Sequence, residues 1–224
     1  MPIDVDRDGD VIVARWGDGE NRFNLDTIAA LHAMLGELEL VSGPLALVLT
    51  GDGKFFSNGL DLDRFAGNPD EFAATAEAFH RLLGRLLVFP AYTVAAINGH
   101  AYAAGAMLSC AFDHRVMRED RGYWCLNEAD IGLPLTEQMA SVVLARLPQP
   151  VALEAMLTAR RYAAHEAVAA GIVEEAAAQS AVLGAAVARA AIAATKDRKV
   201  VTIHKRIVFS EVARSCGWIE VQQP

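Results

Sequence analysis

Apolar and polar positions follow two different spacings along this chain, and each spacing predicts its own elements. Asp10–Trp16, β-branched and bounded by Gly9 and Gly17, reads as a strand. After it, Ile28, Leu31, Leu35 and Leu38 recur three or four residues apart behind Asn24, which predicts a helix capped by that asparagine. Pro44 closes the connection, and the short apolar run Leu45–Thr50 fits a strand buried on both faces. A glycine-rich turn and a polar patch lead into a helix over about Glu71 to Leu87, which Pro90 ends. Thr93–Ile97 is the next buried strand, Ala101–Cys110 a tightly packed small-residue helix, and Phe112–Met117 a further strand. Asp120-Arg121-Gly122 then turns into the apolar stretch Tyr123–Leu126. From Thr136 the texture predicts almost nothing but helix, with a stop at Gly171, an alanine-rich segment from Ala176 to Thr195, and a last helix over Lys199–Ala213. Strands feeding helices in this order predict an α/β fold.

Composition narrows the setting. A length of 224 residues suits one domain over 1–224, with a core to about residue 150 and a helical tail over about 151–224. Hydrophobic residues make up 53%, yet every apolar run is interrupted well before the ~20 residues a bilayer crossing needs, as at Arg81 and Arg85. The excess predicts a large core and a buried subunit surface. A net charge of −8 excludes a general nucleic-acid surface. Cys110, Cys125 and Cys216 have no CxxC or metal-ligand spacing and predict free thiols in a reducing compartment. The acidic start Met1–Asp8 does not resemble an export signal, and Val221–Pro224 lacks a peroxisomal Ser-Lys-Leu address, so the expected location is cytoplasmic.

Three segments carry candidate chemistry. Ser57-Asn58-Gly59-Leu60-Asp61-Leu62 and Asn98-Gly99-His100 through Gly105 are turns after strand-like runs, and glycine lets such turns present backbone N–H groups. Two donors, the N–H groups of Leu60 and Ala104, aimed at one oxygen would form an oxyanion hole. The third segment sets Glu128 among Leu126, Ala129, Ile131 and Leu133, where burial would raise its pKa and suit it to moving a proton. Taken singly, the turns also fit plain strand-to-helix connections, and Glu128 fits a surface carboxylate paired with an arginine such as Arg115. Phe56, Tyr102, Met107 and Trp124 fit either core or an acyl pocket.

Together and in this order the segments resemble the crotonase (enoyl-CoA hydratase/isomerase) superfamily, over about Val11 to Arg206. Phe55–Leu62 resembles the family's first oxyanion segment, Ala96–Ala101 through Asp113–Val116 the second, and Leu157–Ala167 through Gly171–Val173 its later helical signature. The resemblance implies a crotonase fold: a ββα superhelical spiral core with a C-terminal helical region for oligomerisation as a homotrimer or dimer of trimers. It implies an acyl-CoA thioester substrate, no metal or redox cofactor, and no nucleic-acid or membrane partner. Ser57, Gly59, Asp61, Gly105 and Met107 would adjoin the substrate, although Asp61 reads first as the cap of the next helix. Arg22 and Lys54 are candidates for the phosphates of CoA, with Lys196, Arg198, Lys199, Lys205 and Arg206 as others.

One departure decides the expected reaction. Hydratases of the family use two glutamates, and the first falls here on Met107, while the second falls on Glu128. A thioether cannot activate water. One glutamate beside an apolar position resembles the Δ3,Δ2-enoyl-CoA isomerases, and the run from Asn98 with Ala104 in place of glycine resembles their plant-type branch. The implied reaction moves a proton from C2 to C4 of a 3-enoyl-CoA through a dienolate held by Leu60 and Ala104. Hydration, thioester hydrolysis, decarboxylation, or a catalytically silent acyl-CoA-binding subunit are the alternatives.

Overall fold

The computed structural model of the protein describes residues 3–17 and 19–218, so Met1, Pro2 and Val221–Pro224, read above for address signals, lie outside the described residues. The chain starts with an antiparallel pair, β1 (Ile3–Asp8) and β2 (Val11–Trp16), joined through Gly9, and continues into α1 (Leu25–Glu39). Asn24 caps α1 as expected: its side chain accepts from the N–H of Thr27, whose hydroxyl accepts from the N–H of Asn24.

Three ββα turns follow. The first is β3 (Ala46–Gly51), β4 (Phe55–Ser57) and α2 (Pro69–Leu87). The second is β5 (Tyr92–Ile97), β6 (His100–Tyr102) and α3 (Ala104–Cys110). The third is β7 (His114–Arg118), β8 (Trp124–Cys125) and α4 (Glu128–Ile131). Each turn gives its first strand to a six-stranded sheet, β1-β2-β3-β5-β7 and a last strand β9 (Glu175–Ala177), and its second to a three-stranded sheet, β4-β6-β8. Between these strands, all pairings except β1–β2 are parallel. This is the ββα spiral that the resemblance implies. Around β9 lie the tail helices α5 (Glu137–Arg146), α6 (Gln149–Thr158), α7 (Ala164–Ala169), α8 (Val182–Ala194) and α9 (Arg198–Ser215).

Both faces of the large sheet are covered, which explains the unbroken apolar runs of β3 and β5. Val13, Val48, Val94, Ala96 and Val116 meet Val182, Ala186, Ala190 and Ala194 of α8. The alternate residues Ile12, Leu47, Leu49, Ala95 and Ile97 join the main core with α1, α2 and α3. Alanines four apart let α8 lie close on the sheet. The tail is tied to the spiral by α9, whose Lys205 is buried and donates to the Asp113 carboxylate at 2.7 Å and to the carbonyl of Ala91 at 3.1 Å.

Two expectations change, and one strand lies where no element was expected. Ala101–Cys110 is not one helix: His100–Tyr102 pairs with β4 and β8 first, because a sheet position overrides the helix propensity of alanine. Ala176 and Ala177 likewise pair with β7 instead of opening a helix, so the tail is not wholly helical. Ile3–Asp8 is a strand despite its charges. It lies at the sheet edge with all but Ile3 exposed, where no apolar alternation is required. Among the described residues, no helix is long and apolar enough to cross a membrane.

Candidate active site

The two turns meet through glycines. Gly59 has φ +84°, and a methyl group there would lie 2.9 Å from Cβ of Ala103 and 3.4 Å from N of Ala104, so the first turn packs directly against the second. The carbonyl of Gly59 accepts from the N–H of Phe23, and the N–H of Asp61 donates to the carbonyl of Phe23. That clamp uses the residues on either side of Leu60 and leaves its N–H unused among the described residues. Ala104 is the first residue of α3, where a helix has N–H groups to spare, and its N–H is also unused.

The conformation that aims Ala104 comes from Ala103. It has φ +48° and ψ −122°, a backbone state that costs a non-glycine residue about 1–3 kcal/mol. Gly99 and Gly105 do not supply it; neither has a positive φ. They are needed for close approach: an added methyl would lie 2.1 Å from the Lys54 carbonyl oxygen at Gly99, and 2.6 Å from the Ser57 carbonyl oxygen at Gly105. Gly105→Ala should therefore push α3 off β4 and destabilise the fold by about 1–3 kcal/mol, read as a lower urea midpoint at unchanged slope.

Glu128 opens α4, a single turn that Gly132 closes with φ +67° before Pro134. Its side chain is 7% exposed, and its Oε2 has no hydrogen-bond partner among the described residues. Burial without a cation pushes its pKa up to about 7. Arg115, considered above as its partner, is instead held by Glu174 through both its backbone N–H and its guanidinium.

Leu60, Ala104, Met107 and Glu128 all line one cavity of about 490 Å³. Phe72 and Ala76 of α2 and Met139 of α5 supply apolar wall, which sequence reading did not identify; Phe72 and Ala76 are four apart on one face of α2. Asn127, also missed, lines the cavity next to the base.

The other candidates fall into two groups. Ser57, Gly59 and Gly105 do not line the cavity but shape it. Ser57 is fully buried, donating to the carbonyl of Asn21 at 2.7 Å and accepting from the N–H of Gly59 at 3.2 Å. Phe56 and Trp124 are core, with the Trp124 indole N–H on Ser109, and Tyr102 stacks on His100. Asp61 caps no helix; its carboxylate accepts from Arg22 at 3.4 Å and from Asn24 at 3.5 Å. Arg22 lies at the cavity wall but is also bound by Glu20 at 2.7 Å and Asp63 at 2.5 Å, which raises its pKa and leaves the rim acidic. Lys54 is exposed outside the cavity, 5.0 Å over the Phe55 ring. Lys196, Arg198, Lys199 and Arg206 line a separate groove, and Lys205 is used up inside the fold by Asp113.

With this geometry in view, the comparisons are specific. The sequence model for enoyl-CoA hydratase/isomerase matches residues 16–216. Enoyl-CoA delta isomerase 3 of Arabidopsis thaliana is 38% identical over 184 residues, which cover 79% of this chain and 77% of the plant protein. A putative enoyl-CoA hydratase of Thermus thermophilus is 37% identical over 74% of this chain and 67% of its own length. Among solved structures, a probable enoyl-CoA hydratase of Mycobacterium tuberculosis superposes with a TM-score of 0.89 at 26% identity, over 97% of this chain and 92% of the other.

Proposed function

Because the chain belongs to the enoyl-CoA hydratase/isomerase family, we propose that it isomerises a 3-enoyl-CoA to the 2-trans-enoyl-CoA. The observation that carries this reading is a lone buried carboxylate, Glu128, in the same cavity as two unused backbone donors, with Met107 as a further wall residue.

The thioester oxygen sits between the N–H groups of Leu60 and Ala104. Its partial charge grows as the C2 proton leaves, so donors already in place stabilise the dienolate more than the ground state. Glu128 takes the C2 proton as a carboxylate and returns it to C4 as an acid. A pKa near neutrality serves both steps, because neither protonation state is far from accessible. The transfer needs no redox cofactor or metal, since one carboxyl both removes and delivers the proton. Hydration would need a second acid–base group beside the one that handles the C2 proton, and the thioether of Met107 offers none.

The exposed apolar side chains of α9, Val200, Ile203, Ile207 and Val208, support burial between copies in a homotrimer or dimer of trimers. A panel of 3-enoyl- and 2-enoyl-CoA esters tests the reaction. Double-bond migration in the first with little water adduct from the second is expected; rapid hydration of the second without migration in the first would replace the reading with a hydratase.

A further inference from the structure

Two residues of the described cavity wall, Glu128 and Asn127, have a buried side-chain oxygen with no hydrogen-bond partner among the described residues: Oε2 of the first and Oδ1 of the second. The proton transfer accounts for Glu128 and leaves Asn127 without a task. A buried carbonyl oxygen left unsatisfied costs about 1–3 kcal/mol, so its position implies a donor.

Local structure shows why that oxygen is left over. Asn127 occupies the capping position of α4, where an asparagine side chain ordinarily accepts from the helix's free N–H groups. Here it makes no such bond. The N–H of Asp130, one of those a cap side chain would take, goes instead to the backbone carbonyl of Asn127 at 3.1 Å. Leu133, Met107 and Ile131 of the same wall bring no side-chain donor, and the wall's polar side chains are engaged elsewhere, Arg22 by Glu20, Asp61 and Asp63, Asn58 by Glu20 and Thr136 with His80. A hydrocarbon acyl chain brings none either, whereas one water molecule can donate to two acceptors at once.

We propose that Asn127 is a positioning residue: its Oδ1 and the Glu128 carboxylate together hold one water molecule beside the acyl chain, and this water connects the base to solvent. The proposal rests on the isomerase reading of the same site. When the C2–H bond breaks, the proton forms an O–H bond on Glu128. That carboxyl group then donates to the oxygen of the held water and exchanges its hydrogen with it. The O–H bond next breaks as the C4–H bond forms, so the product carries a solvent hydrogen at C4 in a share of turnovers and no electrons are gained or lost.

The test is isomerisation in D2O with deuterium per product molecule read by mass spectrometry at initial rate. Wild type is compared with Asn127→Leu, similar in size but without an acceptor, and with Asn127→Ser, which restores one. The Leu variant is expected to lose about threefold or more of the deuterium incorporation and part of kcat at little change in KM, with the Ser variant recovering incorporation. Equal incorporation in wild type and Asn127→Leu overturns the role of Asn127 alone. Absence of deuterium in the wild-type product overturns it with no variant needed, whatever the variants' folding. Wild type that leaves 3-enoyl-CoA unchanged overturns the isomerase reading and this proposal with it.

Discussion

Glu128→Gln is expected to lower kcat for double-bond migration by about 10²–10⁴-fold, since the amide keeps the shape of the side chain but neither takes nor returns a proton. The same change should stabilise the protein in alkaline solution. In the folded chain the carboxyl has its pKa raised from 4.5 to about 7 by burial. In the unfolded chain it ionises at its ordinary value, so between these two pH values the folded state holds the extra proton. Stability of the wild type therefore falls as pH rises through that window, by a total of about 3 kcal/mol. The glutamine variant escapes this loss: it should exceed wild type in urea stability at pH 8 and match it more nearly at pH 4. Wild-type kcat/KM should rise with pH along a limb centred near 7, because only the ionised base removes the C2 proton. A glutamine variant with wild-type turnover would remove Glu128 from the mechanism, whatever its stability.

Ala104→Pro tests the oxyanion hole by deleting one donor. Ala104 is the first residue of α3, the helical position that best tolerates proline, so the N–H disappears while the helix remains. The expected cost is about 2.7–4 kcal/mol of transition-state stabilisation, a loss of roughly 10²–10³ in kcat. Strain is the one complication, because Ala103 already sits at φ +48° and a following proline restricts it further. The Ala103→Gly, Ala104→Pro double variant frees that position, and Ala103→Gly alone is the reference. Circular dichroism establishes that each variant folds. Turnover in the double variant equal to that of Ala103→Gly would show that the N–H of Ala104 does not hold the thioester oxygen.

Much of this site is legible in the chain itself. Glu128 is readable because a carboxylate inside an apolar run, stopped by Ile131-Gly132-Leu133-Pro134, has few folded positions open to it. Leu60 and Ala104 are readable because each follows a strand and sits beside a glycine, where spare N–H groups are a backbone consequence. Other residues were misread for a common reason. Asp61 looked like a helix cap because local sequence offers a cap, but the carboxylate meets Arg22 and Asn24, 39 and 37 positions away. Lys205 looked like a candidate for the phosphates of CoA; it lies buried because Asp113, 92 positions away, is there to receive it.

The chain alone determined the periods of its elements, the ends of its helices and the kinds of chemistry its turns can present, since these depend on neighbours a few residues apart. The tertiary structure decided which of those groups share a cavity. It turned Ser57 and Gly105 into a packing contact, placed Phe72, Ala76 and Asn127 on the cavity wall, and surrounded Arg22 with carboxylates. It also raised the pKa of Glu128 toward neutrality. Burial and the absence of a nearby cation are sums over residues distant in sequence, and only the folded chain carries out that sum.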